Sequence, residues 1–245
     1  MAGKLLISIC VLITLCICAE IPIKKCQRKD SNFNKCLVGA IEHVLSKSTS
    51  PIKEIGIPTL EPLAVPSLTI GAGSGAVAFD QNYKKLKLTG ISTVKCSKAD
   101  VNFSTKTLFL ECKSPLVRLN FDYEIHGKIL LLPIFGKGPG SMDLENVGLQ
   151  LTFNLEEQEK KGKKHYKVAS QKFVLNPQLV KFKLENLFDG DKALGDNINQ
   201  VLNDNWSEVL ADVKPSYEEA FGKIFSSIFN NVLGKMSTTE IFGDA

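Results

Sequence analysis

Between Val117 and Leu184 the chain writes apolar and polar residues in long alternation. Val117, Leu119, Phe121, Tyr123 and Ile125 fall on one face of an extended strand. Arg118, Asn120, Asp122, Glu124 and His126 fall on the other. The two-residue period returns at Leu149, Leu151, Phe153 and Leu155, at Tyr166 and Val168, at Phe173 and Leu175, and at Val180, Phe182 and Leu184. The connections are too short for helical crossovers, so the strands predict an antiparallel meander with one wet face. Its other face needs an apolar partner.

The C-terminal segment supplies one. Leu194, Ile198, Leu202, Val209 and Val213 fall on one helical stripe, and Trp206 continues it. After Pro215 the stripe resumes with Tyr217, Phe221, Ile224, Phe225, Ile228, Phe229, Val232 and Leu233. Two helices or one long kinked helix satisfy this pattern. A shorter helix is expected over Asn32 to Ser48, striped by Phe33, Leu37, Ile41, Val44 and Leu45 and ended by Pro51. From Ile52 to Ile70 the prolines at 58, 62 and 66 forbid a regular helix and predict an irregular extended ribbon. Pro133 and Gly136 to Gly140 are expected to break the long strand that begins at Val117.

Residues 1–19 read as a secretory signal, with Lys4 before the apolar run Leu5 to Ile17 and Ala19 at the cleavage point. Ile17, three places from that point, is larger than usual. The run is too short to span a membrane, and no later stretch is long and apolar enough. A soluble domain over residues 20–245 is expected in extracellular fluid, as a monomer. It keeps four of the seven cysteines, Cys26, Cys36, Cys96 and Cys112, in an oxidising compartment. Four cysteines allow three pairings. Cys26 with Cys36 and Cys96 with Cys112 are favoured because both close short loops. Asn102-Phe103-Ser104 and Asn205-Trp206-Ser207 match the glycan acceptor pattern, the second weakened by its neighbour Trp206.

Several function classes are disfavoured. The formal charge is +4, and removal of Lys4 leaves +3, a mild and scattered excess unlike a nucleic-acid face. The run Lys160 to Lys164 reads as a solvated hairpin turn. His43, His126 and His165 stand apart in the sequence, so neither a zinc site nor a cofactor is expected. Gly71-Ala72-Gly73-Ser74-Gly75 has Ala76 where a dinucleotide loop needs Gly, and it lacks the phosphate-loop Lys. It reads as a bent turn. Asp122, Glu124 and His126 share a polar face, but no serine or cysteine completes a nucleophilic set.

The cysteines near the start, the first helix and the stretch Gly56-Ile57-Pro58-Thr59-Leu60-Glu61-Pro62-Leu63 resemble the insect takeout and juvenile-hormone-binding protein family. The likeness runs on through the strands to the C-terminal helical region. The resemblance implies an α+β fold of the super-roll lipid-binding type, a strongly curved antiparallel sheet wrapped around a long C-terminal helix. It implies a secreted, non-catalytic carrier that encloses an apolar ligand in a tunnel. It also implies the Cys26–Cys36 disulfide. The hormone-binding branch has a second disulfide toward the C-terminal half, whereas no cysteine follows Cys112 here.

The ligand expected is small, elongated and hydrophobic: a terpenoid hormone, a fatty acyl lipid or a semiochemical. Candidate lining residues are Leu119, Phe121, Tyr123, Ile125, Leu151, Phe153, Phe182 and Phe225. Tyr123 is the preferred polar contact, because its hydroxyl can meet an oxygen while its ring packs apolar carbon. The competing readings are a secreted interaction module with a solid interior and a small lipid-processing enzyme.

Overall fold

The computed structural model describes residues 24–243; the expected signal segment lies outside the described residues. A first helix, α1 (Phe33–Lys47), leads into the edge strand β1 (Leu63–Ile70). Six strands follow: β2 (Gln81–Thr89), β3 (Lys95–Asn102), β4 (Thr107–Ile129), β5 (Leu132–Lys160), β6 (Lys163–Asn176) and β7 (Leu179–Leu184). Helices α2 (Lys192–Asp204), α3 (Trp206–Lys235) and α4 (Thr238–Phe242) close the chain.

All seven strands form one antiparallel sheet, with the path β1-β2-β4-β5-β6. Its spine is the β4–β5 ribbon, paired from Thr107 with Asn154 to Ile129 with Leu132. The strands beside the spine change along its length. At one end β3 flanks β4 and β6 flanks β5. At the other end β2 flanks β4 and β7 flanks β5.

This corrects the expected super-roll. The sheet is open, neither strongly curved nor closed: its path ends at β1 and β6, which do not pair with each other. Nor does it wrap the long helix. Helix α3 lies chiefly along β6 and touches β7 and β1 more lightly, while α1 covers β3 and α2 covers β7. Alternation specifies which side chains face inward. It does not specify which strand neighbours which, and here the outer strands are short and exchange places halfway.

The Pro and Gly stretch after the hairpin is not a break either. β5 runs straight through Pro133, Gly136, Gly138 and Gly140. Another segment needs the space that side chains would take there. A Cβ on Gly138 would stand 2.5 Å from the Glu185 carbonyl oxygen, and one on Gly140 would stand 2.6 Å from the Phe121 ring. Pro66 sits within β1, where a missing amide is tolerated because the strand is an edge.

The C-terminal helical segment breaks at Asn205 rather than at Pro215, which lies inside α3. At about 1.5 Å per residue the 30 residues of α3 extend roughly 45 Å. Its aromatic stripe packs down the sheet: Phe229 stacks on Phe153 at 4.8 Å, and Phe225 meets Phe173 edge-on at 5.3 Å. Both short-loop disulfides are present, Cys26–Cys36 holding α1 to the preceding chain and Cys96–Cys112 joining β3 to β4.

The glycine-rich segment is a turn anchored by α3. The Asp212 carboxylate accepts from the backbone amides of Ser74 (2.9 Å), Gly75 (3.0 Å) and Val77 (2.8 Å). Those amides, Val77 foremost, hold the carboxyl below its ordinary range. A Cβ on Gly73 would collide with that carboxylate. The cradle a phosphate would need is therefore filled by the protein's own acid. The Lys160 to Lys164 run is likewise engaged within the fold: Lys160 donates to the Gly234 carbonyl at 2.8 Å, and Lys163 pairs with Glu240 at 3.2 Å.

Candidate functional site

The inward positions of β4 and β5 continue the alternation toward the α1 end, through Leu108, Leu110, Leu149 and Leu151. There the sheet and its helical cover do not meet. Between them lies a cavity of about 320 Å³. α1 contributes Leu37, Ala40, Ile41, Val44 and Leu45; α3 contributes Phe221, Phe225, Ile228, Phe229 and Val232. The Cys96–Cys112 bridge forms part of the wall. Lys24 is the one charged residue among the lining side chains, and it is exposed.

A space of this size falls at the lower end of small-molecule pockets, roughly 300–1,000 Å³. With almost no polar group on its walls it offers a guest burial rather than hydrogen bonds. Backbone polar groups are already consumed in the strand ladders and in α1 and α3.

Four of the eight expected lining residues, Leu119, Leu151, Phe153 and Phe225, are on the cavity wall. Phe121, Tyr123, Ile125 and Phe182 are not. The wall stops at Leu119 on β4 and at Phe221 on α3. One step further along each element stand Phe121 and Tyr217, and here the interior is solid. The Phe121 ring packs on Tyr83 at 4.3 Å. The Tyr83 and Tyr217 hydroxyls lie 2.7 Å apart, and both reach the Gln81 side-chain oxygen Oε1, at 2.8 and 2.9 Å. Burial pushes both phenols well above their ordinary range. This polar knot ties α3 to β2 and plugs the inner face beyond Leu119.

Tyr123 lies past the plug. Its hydroxyl donates to the Glu185 carbonyl at 2.5 Å, and burial pushes its pKa up to about 12. The hydroxyl expected to meet the ligand is engaged with backbone here, and Tyr123 is not on the cavity wall. Phe182 is a half-buried residue of β7, where its amide donates to Asn203 at 2.7 Å.

The α1 wall was missed as a wall, although its stripe was read as a helix face. The available signal was Ala40, a small side chain within that stripe, where a larger one would fill the gap.

Asp122, Glu124 and His126 sit on the opposite face of β4 from these inward residues. Asp122 pairs with Lys85 at 2.8 Å, and Glu124 and His126 are exposed beside a separate polar hollow. Among the described residues no group of three His, Cys, Asp or Glu side chains is placed to hold a metal, and no helix is long and apolar enough to cross a membrane. Asn102 and Asn205 are both exposed. Asn102 holds the β3–β4 turn, accepting from the Ser104 amide at 3.0 Å, and Asn205 marks the break between α2 and α3.

An open antiparallel sheet covered by helices, with an apolar cavity between them, defines a cavity-forming protein with room for a small apolar molecule. Residues 6–243 match the family described as haemolymph juvenile hormone binding protein, and the chain belongs to that family. It is thereby a member of a secreted, non-catalytic family of lipid and hormone carriers. It is similar to the circadian clock-controlled protein daywake of Drosophila melanogaster, 28% identical over 229 residues, which span 90% of this chain and 87% of the relative. The Drosophila yakuba counterpart is 26% identical over the same shares. Among solved structures, Takeout 1 of Epiphyas postvittana has the same fold, with a TM-score of 0.78 and 24% identity over 91% of this chain and 100% of that one.

Proposed function

We propose that this chain is a secreted carrier that takes one small, elongated apolar molecule into the cavity beneath α1. The observation that carries the reading is the cavity itself, about 320 Å³ walled almost wholly by aliphatic and aromatic side chains. Taking a methylene to fill about the 30 Å³ of a liquid water, it accommodates a chain of roughly eleven carbons. Burial of each contributes about 0.8 kcal/mol. The gross gain is on the order of 9 kcal/mol, from which association costs of several kcal/mol are subtracted.

The family's description names juvenile hormone, and a terpenoid of that kind suits the space. So do a medium-chain acyl lipid and a semiochemical. Lys24 at the rim favours a ligand with an acidic or ester end over a pure hydrocarbon. The polar residues 122–126 stand away from the cavity, which weighs against a lipid-processing enzyme. The void itself weighs against a solid interaction module. In this reading residues 1–19 are a cleaved leader, and residues 20–245 form one monomeric domain in extracellular fluid. The exposed Asn102 and Asn205 are proposed as its glycan sites.

A homologous series of straight-chain alcohols tests the carrier. Displacement of a naphthylamine fluorophore should strengthen by about fourfold per carbon up to roughly eleven carbons and then level off. Affinity that does not depend on chain length refutes the proposal.

A further inference from the structure

The β4–β5 hairpin ends in Ile129-Leu130-Leu131-Leu132. Ile129 pairs with Leu132, which leaves Leu130 and Leu131 as a two-residue loop. Their φ angles are +48° and +70°, the signs of a type I′ turn, which Asn and Gly ordinarily fill. Bulky side chains are steric outliers there. The next hairpin, β5 to β6, makes the same kind of two-residue loop with Lys161 and Gly162, at +53° and +72°. The fold therefore does not demand leucine at such a tip.

Leu130 is half-buried and packs against the core, but Leu131 makes no packing contact that would offset the strain. Leu131 is 87% exposed, Leu132 42% and Phe135 38%, and Pro133 between them is exposed as well. From Ile129 to Gly136 no side chain is polar. Exposed Lys128 stands across from Pro133, His126 across from Phe135, and exposed Lys137 lies further back. An unexplained backbone strain joined to an exposed apolar point is grounds for a functional role.

We propose that this hairpin tip is a lipid-bilayer contact. Leu131 and Leu132 enter the interfacial zone of a phospholipid membrane, and Lys128 remains at headgroup level. The size of the tip selects this partner. A stable protein interface takes about 800 Å² from each side, more than a few side chains on a narrow hairpin can supply. A fluid bilayer requires no matching shape. The ladder is closed to its last pair, so few peptide groups lose water on insertion.

Charge narrows the lipid. Glu124 lies directly across from Lys137, and Asp80 and Asp189 line the hollow beside it. The local charge is near balance, so apolar insertion rather than anionic lipid drives the contact. None of the tip residues lines the cavity. The inference goes beyond the carrier reading and does not depend on what the cavity holds.

Flotation of the purified protein with phosphatidylcholine vesicles tests it. The native chain is expected to float with the vesicles and to stay bound at high salt. Leu131→Asp with Leu132→Asp should lower the partition coefficient by roughly tenfold or more. Lys161→Asp at the other hairpin should leave it unchanged. A circular dichroism spectrum and Tm of the double variant that match the native chain establish that it is folded. A native chain that does not float overturns the proposal. So does a double variant that floats equally, or release of the native chain by salt. Sedimentation showing that the leucines instead join two copies of the chain overturns it as well.

Discussion

Substituting Ala40 by leucine sets stability and ligand affinity in opposite directions. Ala40 lies on the α1 wall of the cavity, and only 6% of it is exposed. The substitution adds three carbons, about 90 Å³ at the same 30 Å³ per group, to a space of about 320 Å³. Room then remains for about eight methylenes instead of eleven. Three methylenes at about 0.8 kcal/mol each amount to about 2.4 kcal/mol, or roughly 60-fold in Kd for a ligand that fills the native cavity. The empty protein gains instead, because the new side chain buries apolar surface in a void. Cavity filling of this kind contributes about 1–2 kcal/mol, a rise in Tm of roughly 2–8 °C for a domain of this length. Leucine is nearly as good a helix former as alanine, so α1 itself is little affected. Calorimetry of the ligand-free protein and fluorophore displacement by a long alcohol read the two effects separately. In a solid interior the same substitution would overpack and cost about 1–3 kcal/mol. A lowered Tm would therefore refute the cavity, and a raised Tm with unchanged affinity would refute its role as the binding site.

Three further outcomes follow from local geometry. Asp212→Ala leaves the amides of Ser74, Gly75 and Val77 without their acceptor; because water reaches this turn, the loss is expected to be about 1–2 kcal/mol by urea denaturation. Glu240 completes the capping box of α4 with Ser237, and the Ser237 amide and hydroxyl, aided by Lys163, lower its pKa to about 2. Its folded value is below the unfolded one of about 4.3, so its contribution is fully present above that pH and is lost as pH falls toward 2. Partial exposure limits it to about 1 kcal/mol, and Glu240→Gln should flatten the acid limb of stability between those values. Secretion from insect cells should add a glycan at Asn102, read as a mass lost in Asn102→Gln, since its turn is open to the transferase.

Much of the sheet was legible because its information is local. A two-residue period states which side chains share a face, and Leu119, Leu151 and Phe153 were read inward on that ground alone. The helical stripe placed Phe225 in the same way, and short loops favoured the two cysteine pairings that the structure contains. Phe121, Tyr123 and Ile125 obey the same period and are buried, yet none of them lines the apolar cavity. What separates them from Leu119 is the knot of Gln81, Tyr83 and Tyr217, assembled from segments more than 130 residues apart. No periodicity within β4 records it. The glycines of β5 were misread for the same reason, since Gly138 and Gly140 make room for the segment around Glu185 and Leu184, which the chain reaches only later.

By itself the sequence determined most of the strands and helices and which side chains face inward, since these depend on spacing along one strand or helix. The tertiary structure alone decided that the sheet stays open, that α1 roofs the cavity and that the cavity ends at Leu119. Those outcomes depend on which distant segments meet and on whether their side chains fill the space between them.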